Sequence, residues 1–234
     1  MCTVTFLPID GKVFITSNRD ENAKRPLALP PSRHDSSRYS FVCPKDQLAG
    51  GTWIAYRNDG PVMVILNGAF QKHVAQPAYR KSRGLVFWDI FVTEHPVETF
   101  THITLHGIEP FTLVLWQDDH LTEMRWDGER KNLAQKDART PHIWSSCTLY
   151  TRENILSREK LFQQWLVRPK QYSPAEVMQF HLRTHQNEDE GESIRINRNN
   201  EMLTVSISCI EMSVQHSNFY YSDLLTGKNY HLLL

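Results

Sequence analysis

Pairs of β-rich segments joined by short turns are the feature of this sequence that most restricts its fold. The first pair flanks Asp10-Gly11, the kind of dipeptide that most favours a two-residue hairpin turn. Further pairs turn at residues 58–61 and 118–119. Hairpins in succession predict antiparallel sheets. The predicted strands span residues 3–7, 13–17, 53–57, 62–66, 111–117, 121–126, 204–210, 216–222 and 230–234.

Helical patterns lie between these strands. Residues 82–93 and 155–166 carry apolar side chains three and four positions apart. A third helix is predicted from Pro96, and a fourth follows the N-cap residue Ser173. Helices inserted between hairpins are typical of an α+β domain that carries helices on the outer faces of its sheets. Since no linker divides the chain, we expect a single domain over residues 1–234.

The charge balance and the apolar pattern exclude several classes of protein. Basic and acidic side chains each number 26, which argues against a nucleic-acid or membrane-surface protein that relies on a basic field. No apolar run reaches the roughly 18 residues that span a bilayer, so no integral membrane association is expected. The first five residues also lack the basic start and apolar stretch of a secretory signal.

The four cysteines are scattered and form no Cys-x-x-Cys pair, so the sequence does not support a zinc or thioredoxin-type site. Without a secretory signal, we expect reduced thiols and a cytoplasmic protein. Cys43, Cys147 and Cys209 are interpreted as small core residues.

Two other patterns resemble known sites but are interpreted differently. Gly50-Gly51 lacks the following Gly-Lys-Ser/Thr of a phosphate loop, and we expect a turn that lets the backbone approach the first hairpin. His181 and His185 share a helical spacing without the Glu of a His-Glu-x-x-His metal motif. They are predicted to lie at a solvated helix end.

The turn at Asp10-Gly11 fixes the register of the first hairpin. A two-residue turn there places Thr3 opposite Asn18 and Cys2 opposite Arg19. Directly opposed residues have Cα atoms roughly 4.5–5.5 Å apart. The polar Asn-Arg-Asp-Glu run that begins at Asn18 is thereby brought against the start of the chain.

The chemistry of a chain start explains why this register matters. Cys2 is small enough to permit removal of Met1, which leaves it a free α-amine. That amine has a reference pKa of about 7.7–8, so part of it can accept the thiol proton near pH 7. Asp20 can hold the amine, and Arg19 can supply positive charge for an oxyanion or a substrate carboxylate. The residues alone also allow a second interpretation, in which the polar run is only a solvated hairpin end.

Seven stretches spread over nearly the whole chain carry a further signal: residues 1–3 (MCT), 16–21 (TSNRDE), 48–53 (LAGGTW), 66–68 (LNG), 79–84 (YRKSRG), 141–146 (PHIWSS) and 204–207 (TVSI). Together they resemble the NRDE-motif family, also called the transport and Golgi organisation protein 2 family. The resemblance implies the four-layer αββα sandwich of N-terminal-nucleophile hydrolases, with antiparallel sheets.

The same resemblance implies site residues. In the penicillin V acylase and bile-salt hydrolase group, a first-residue Cys is the nucleophile, an Asp lies near the end of the second strand, and Asn side chains surround the oxyanion. Cys2 matches the nucleophile, Asp20 the Asp and Asn67 the first Asn. Four further residues are predicted to bind substrate: Asn18, Glu21, Trp53 and Ser146.

Two positions depart from the acylase pattern. The acylases place an Arg three residues before the Asp, where this chain has Ser17, and Arg19 instead lies immediately before Asp20. Ser146 stands where the later Asn is expected, and its hydroxyl is shorter than an amide. Loss of one oxyanion donor costs roughly 10²–10³ in rate.

Two functions of different classes are therefore predicted. The first is a cysteine N-terminal-nucleophile hydrolase that cleaves non-peptide carbon–nitrogen amide bonds of a small molecule after removal of Met1, with no metal or organic cofactor. The second is a non-catalytic carrier that uses the same cleft, since eukaryotic relatives are associated with haem handling and lipid metabolism. Cys2 with Asp20 favours the enzyme, whereas Ser17 and Ser146 favour the carrier. The sequence does not set an oligomeric state.

Overall fold

The structure of the protein is a computed structural model. The residues that it describes are 3–167, 171–184 and 193–234. The chain divides into two compact units: unit 1 comprises Met1–Arg25 and Arg139–Leu234, and unit 2 comprises Pro26–Ala138. The prediction of a single domain stays a prediction.

The described residues form strands and helices with the following bounds. The strands are β1 (Thr3–Ile9), β2 (Lys12–Asn22), β3 (Leu29–Asp35), β4 (Ser40–Lys45), β5 (Ile54–Arg57), β6 (Val62–Asn67), β7 (Phe111–Gln117), β8 (His120–Trp126), β9 (Lys131–Lys136), β10 (His142–Ser145), β11 (Asn197–Arg198), β12 (Met202–Ser213), β13 (Ser217–Asp223) and β14 (Asn229–Leu233). The helices are α1 (Arg83–Phe91), α2 (Pro96–His102), α3 (Arg152–Leu166) and α4 (Pro174–His181).

Each unit is built on one seven-stranded antiparallel sheet. Sheet 1, in unit 1, has the order β10-β1-β2-β12-β13-β14, and β11 pairs with β12. Sheet 2, in unit 2, follows the chain from β3 to β9. Within unit 1, α3 packs on β10 and α4 packs on β2 and β12; within unit 2, α1 packs on β6 and α2 on β8. All four helices lie where the apolar spacing and the N-cap signals predicted them.

The first hairpin forms in the predicted register. Asp10 and Gly11 both have positive φ, 52° and 71°, as a tight hairpin turn of the primed type requires. The pairing continues without a shift from the turn to Thr3 opposite Asn18. Cys2 lies outside the described residues, so its pairing with Arg19 stays a prediction.

The face of sheet 1 that packs on α3 and α4, here called the helix face, holds the core of unit 1. Leu7, Phe14 and Cys209 of the sheet form one buried cluster with aromatic residues of the helices. Phe180 of α4 lies 4.9 Å from Trp165 of α3 between ring centroids. Because side chains alternate along a strand, the same face of β1 and β2 also carries the polar residues Thr3, Thr5, Asn18 and Asp20.

Gly51 permits a close approach of two backbone segments within unit 2. A Cβ on this residue would lie 2.7 Å from the carbonyl carbon of Gly84, at the start of α1. Since backbone cannot move aside as a flexible side chain can, only glycine fits here. The turn at Gly50-Gly51 therefore lets the backbone approach the start of α1. Its predicted approach to the first hairpin stays a prediction.

Candidate active site

Asp20 is buried near the end of β2, with both carboxylate oxygens held by hydroxyl groups. Tyr150 Oη donates to Asp20 Oδ2 at 2.7 Å, and Thr204 Oγ1 donates to Oδ1 at 2.5 Å. Thr204 Oγ1 in turn accepts the backbone N–H of Ile196 at 2.9 Å. Charge-assisted bonds of this kind are stronger than neutral ones. The carboxylate is thus held in one orientation, two residues beyond Asn18, which pairs with Thr3.

A β-bulge in β12 supplies one of these hydroxyls. Asn18 pairs with Ile207 and Arg19 with Ser206, so a regular ladder would place Val205 opposite Asp20. The register shifts between Thr204 and Ser206, and Asp20 faces Thr204 instead. The bulge exchanges an apolar neighbour for a hydrogen-bond donor, which is a common use of bulges near functional sites.

Tyr150 is itself held against a buried cation. The guanidinium carbon of Arg158, on α3, lies 3.5 Å from the centroid of the Tyr150 ring. Arg158 Nη1 donates to Thr3 Oγ1 at 2.5 Å, and its Nη2 donates to the carbonyl of Ser193. Neither Tyr150 nor Arg158 was among the predicted site residues.

Asn18 joins β2 to α4. Its side-chain nitrogen donates to the carbonyls of His181 and Ile194 at 3.2 and 3.0 Å, and its oxygen lies 2.6 Å from His181 Nδ1. His181 Nε2 lies 2.8 Å from Thr5 Oγ1. The prediction that His181 lies at a solvated helix end is wrong, because its ring is fully buried in this polar network. His185 lies outside the described residues, and substrate binding by Asn18 stays a prediction.

The burial of His181 predicts a pH-dependent stability. Burial, and then the positive charge of Arg158, lower the pKa of His181 from 6.5 to about 3. The folded state therefore keeps the ring neutral. The contribution of the neutral ring to stability is complete above pH 6.5 and is lost as the pH falls from 6.5 towards 3, because the unfolded chain then binds a proton that the folded protein does not. We expect this residue to remove about 1.5 kcal/mol of unfolding free energy between pH 6.5 and 5.

Urea denaturation at several pH values measures this effect. The variant His181→Gln should lose that part of the pH dependence, while His216→Gln, at an exposed position, should keep it. If the unfolding free energy of His181→Gln changed with pH as it does in the parent protein, His181 would not be the source of this pH dependence.

Three other predicted residues lie in unit 1. Arg19 is buried on the sheet face opposite Asp20, and its Nη2 is 3.8 Å from Glu21 Oε2. Glu21 also lies 3.5 Å from Arg25 Nε. Ser146 is buried directly after β10, and its Oγ is 2.9 Å from Thr148 Oγ1. Ser145 pairs with Thr3, so Ser146 directly follows the residue opposite the first described residue of β1.

Two predicted residues belong to unit 2. Asn67 is half-buried at the end of β6, where it pairs with Phe111. Trp53 is buried immediately before β5, and its carbonyl accepts the N–H of Ile65 at 2.9 Å. Their roles in oxyanion and substrate binding stay predictions.

The cysteines differ in burial. Burial raises the pKa of both Cys43 and Cys209 to about 12, so these thiols carry almost no thiolate near pH 7. Their assignment as core residues is confirmed. Cys147 is only half-buried. Cys2, the predicted nucleophile, lies outside the described residues.

Residues 3–167, 171–184 and 193–234 contain neither a membrane-spanning helix nor a metal-binding cluster. None of the helices there has both the length and the apolar character needed to cross a membrane. These residues also do not bring together three or more His, Cys, Asp or Glu side chains in a way that could hold a metal ion.

Solved structures define the class of fold. The penicillin V acylase from Agrobacterium tumefaciens superposes with a TM-score of 0.58 at 9% identity, covering 100% of this chain and 86% of that one. For the C2A mutant of the conjugated bile acid hydrolase from Clostridium perfringens the TM-score is 0.55 at 11% identity, covering 100% and 92%. For the Caenorhabditis elegans orthologue of N-acylethanolamine-hydrolyzing acid amidase it is 0.59 at 10% identity, covering 89% and 92%. The fold is that of the N-terminal-nucleophile hydrolases, so the predicted α+β class with antiparallel sheets is confirmed.

Sequence comparison then assigns the family. The chain belongs to the Transport and Golgi organisation 2 family, whose model matches residues 1–223. The resemblance found in the sequence is thereby confirmed. No curated protein matches the sequence.

Proposed function

We propose that this protein is a cysteine N-terminal-nucleophile hydrolase that cleaves a non-peptide carbon–nitrogen amide bond of a small molecule. The observation that carries the proposal is the preorganised carboxylate of Asp20. It lies two residues beyond Asn18, which pairs with the first described residue of β1, Thr3. A carboxylate in this position is suited to hold the α-amine of a chain that begins at Cys2.

The proposed reaction has two halves. Cys2 Sγ attacks the amide carbonyl carbon, and the α-amine of Cys2 takes the thiol proton. As the carbon–nitrogen bond breaks, that proton passes to the leaving nitrogen and a thioester remains. Water then attacks the thioester and gives a proton to the α-amine. The carboxylic acid leaves, and the proton returns to the thiolate.

The surrounding residues take supporting roles in this proposal. Asp20 accepts a hydrogen bond from the α-amine and favours its charged form during each transfer. Arg19, Asn67 or backbone N–H groups stabilise the developing oxyanion. No metal or organic cofactor takes part. A cytoplasmic location fits the reduced thiols expected of the chain and is part of the proposal.

Thiol reactivity and hydrolysis can be tested in one experiment. Protein made without an N-terminal tag is first shown by intact mass to begin at Cys2. It is then treated with limiting iodoacetamide, mapped by peptide mass, and assayed against a panel of acyl amides. We expect Cys2 to be labelled first, because a neighbouring amine and Arg19 both favour its thiolate, and we expect hydrolysis to fall in proportion to that labelling.

The matched control is Cys147→Ser, which removes the half-buried competing thiol and should change neither result. Labelling of Cys147 ahead of Cys2, with hydrolysis unaffected by the label, would exclude Cys2 as the nucleophile.

One observation favours a carrier as the second candidate. Ser146 stands where the acylases are expected to have an oxyanion Asn, and its hydroxyl lies at hydrogen-bond distance from Thr148. A site without this amide donor would stabilise an oxyanion less well, which favours a carrier that binds a haem or acyl-lipid ligand without turnover. Ligand binding by protein that hydrolyses none of the acyl amides would support the carrier.

A further inference from the structure

Arg158 is a fully buried cation, and the other two buried residues of α3, Phe162 and Trp165, are apolar. It lies one turn before Phe162 in α3, whose ring packs in the core cluster of unit 1. Within the described residues its hydrogen bonds go to neutral oxygens, those of Thr3 and Ser193. A buried charge without a carboxylate partner usually costs stability, and an apolar residue of similar volume is often neutral or stabilising in its place. Packing alone therefore does not explain an arginine here.

Two lines of contact run from Arg158, one to the start of β1 and one to the Asp20 carboxylate. The first goes through Thr3 Oγ1, on the residue that follows Cys2 in the chain. The second goes through the ring of Tyr150, whose hydroxyl donates to Asp20. A cation over an aromatic face withdraws electron density from the ring, which strengthens the phenol as a donor.

We propose that Arg158 is a positioning residue, which holds the start of β1 and the Asp20 carboxylate in one fixed arrangement. This inference rests on the proposed function, because it assigns Arg158 a role toward the same nucleophile and carboxylate. It adds a residue from α3 to a site for which the sequence predicted no residue on a helix.

Other charged and titratable groups face the same region. Arg198 donates to the carbonyl of Leu149 at 3.1 Å, and its guanidinium carbon lies 5.4 Å from the Tyr150 ring centroid. His181 of α4 is held neutral by burial and by the charge of Arg158. Asp20 is the carboxylate that Tyr150 contacts. Arg158 and Arg198 thus place two positive charges near the Tyr150 ring, whose hydroxyl donates to Asp20.

The test uses the pH dependence of Cys2 alkylation in protein that begins at Cys2. In Arg158→Met we expect the midpoint of the alkylation profile to move upward by about half a pH unit or more, because a positive charge that favours the thiolate is gone. The alkylation rate at pH 7 should fall at least about threefold, in line with that shift. For any acyl amide that is hydrolysed, kcat should fall about tenfold while KM changes less than about threefold.

Three further variants separate positioning from stability. Arg158→Lys keeps the charge, so the midpoint of its Cys2 alkylation profile should lie between those of Arg158→Met and the parent protein. Tyr150→Phe keeps the ring but loses the hydroxyl, and its effect should not add fully to that of Arg158→Met, because both act through one chain of contacts. Arg57→Met is the matched control: Arg57 is a fully buried arginine of unit 2 that donates to the carbonyls of Phe91 and Thr93. It should lower the thermal midpoint without moving the alkylation profile.

The result that overturns the proposal is an Arg158→Met profile that superimposes on that of the parent protein. If Arg158→Met does not fold, an unchanged alkylation profile in Tyr150→Phe overturns it equally, because the contact between Arg158 and Asp20 runs through the Tyr150 hydroxyl. A parent protein that hydrolyses no amide defeats the proposed function, whereas the alkylation profiles still decide the role of Arg158.

Discussion

Protein that retains Met1 is expected to lose hydrolysis entirely while keeping its fold. A peptide bond between Met1 and Cys2 converts the α-amine into an amide, which cannot accept the thiol proton near pH 7. A positioned acid–base group contributes about 10²–10⁴ in rate, so the loss should be at least about a hundredfold. The retained residue would also occupy the space that the free amine needs beside Asp20.

The comparison requires two preparations that differ only in Met1. Protein with Met1 retained can be isolated from cells in which methionine aminopeptidase is inhibited, and both masses are verified before assay. Cys2→Ala, prepared in both forms, gives the background rate. Thermal midpoints within a few degrees of each other would show that the fold is intact, since about 1 kcal/mol shifts the midpoint by 2–4 °C in a chain of this size.

A carrier makes the opposite prediction, because ligand binding does not need a free α-amine. Equal binding of a ligand by both forms, with no hydrolysis of any acyl amide by either, would lead us to abandon the enzyme in favour of the carrier. Equal hydrolysis by both forms would remove the α-amine from the mechanism.

Asp20→Asn is expected to reduce hydrolysis at least about tenfold through loss of the group that holds the α-amine. The stability effect should be smaller. Asparagine keeps one acceptor oxygen, and a hydrogen bond to a charged group exceeds a neutral one by about 1 kcal/mol, which is the scale of the stability lost at Tyr150 and Thr204. The variant should therefore be folded at room temperature, and kcat and KM can be measured on folded protein.

Glu211→Gln is the matched control for Asp20→Asn. Glu211 is also a buried carboxylate on the helix face of sheet 1, and it accepts from Lys12 at 2.8 Å and from Tyr220 at 3.2 Å. Its neutralisation should cost comparable stability and leave hydrolysis intact. If Asp20→Asn lowers the thermal midpoint yet keeps full activity when folded, Asp20 is only a structural residue.

Much of the framework was predictable from local sequence patterns. The turn at Asp10-Gly11 fixed the first hairpin, and apolar spacing located α3 within a few residues. The strands that were not predicted were chiefly short or polar, such as β3, which contains Pro30-Pro31, and β9, which reads Lys-Asn-Leu-Ala-Gln-Lys. Both are edge strands of sheet 2, where proline and charge are tolerated because one side forms no ladder.

The sequence by itself determined that Asp20 would lie at the end of the hairpin that begins the chain, because a two-residue turn sets register through local geometry. Only the tertiary structure decided what holds that carboxylate. Tyr150 and Thr204 are separated from Asp20 by 130 and 184 positions. Arg158 reaches Thr3 across 155. These contacts depend on a bulge in β12 and on the packing of α3, and neither the bulge nor a long-range side-chain contact has a periodic or short-range sequence signal.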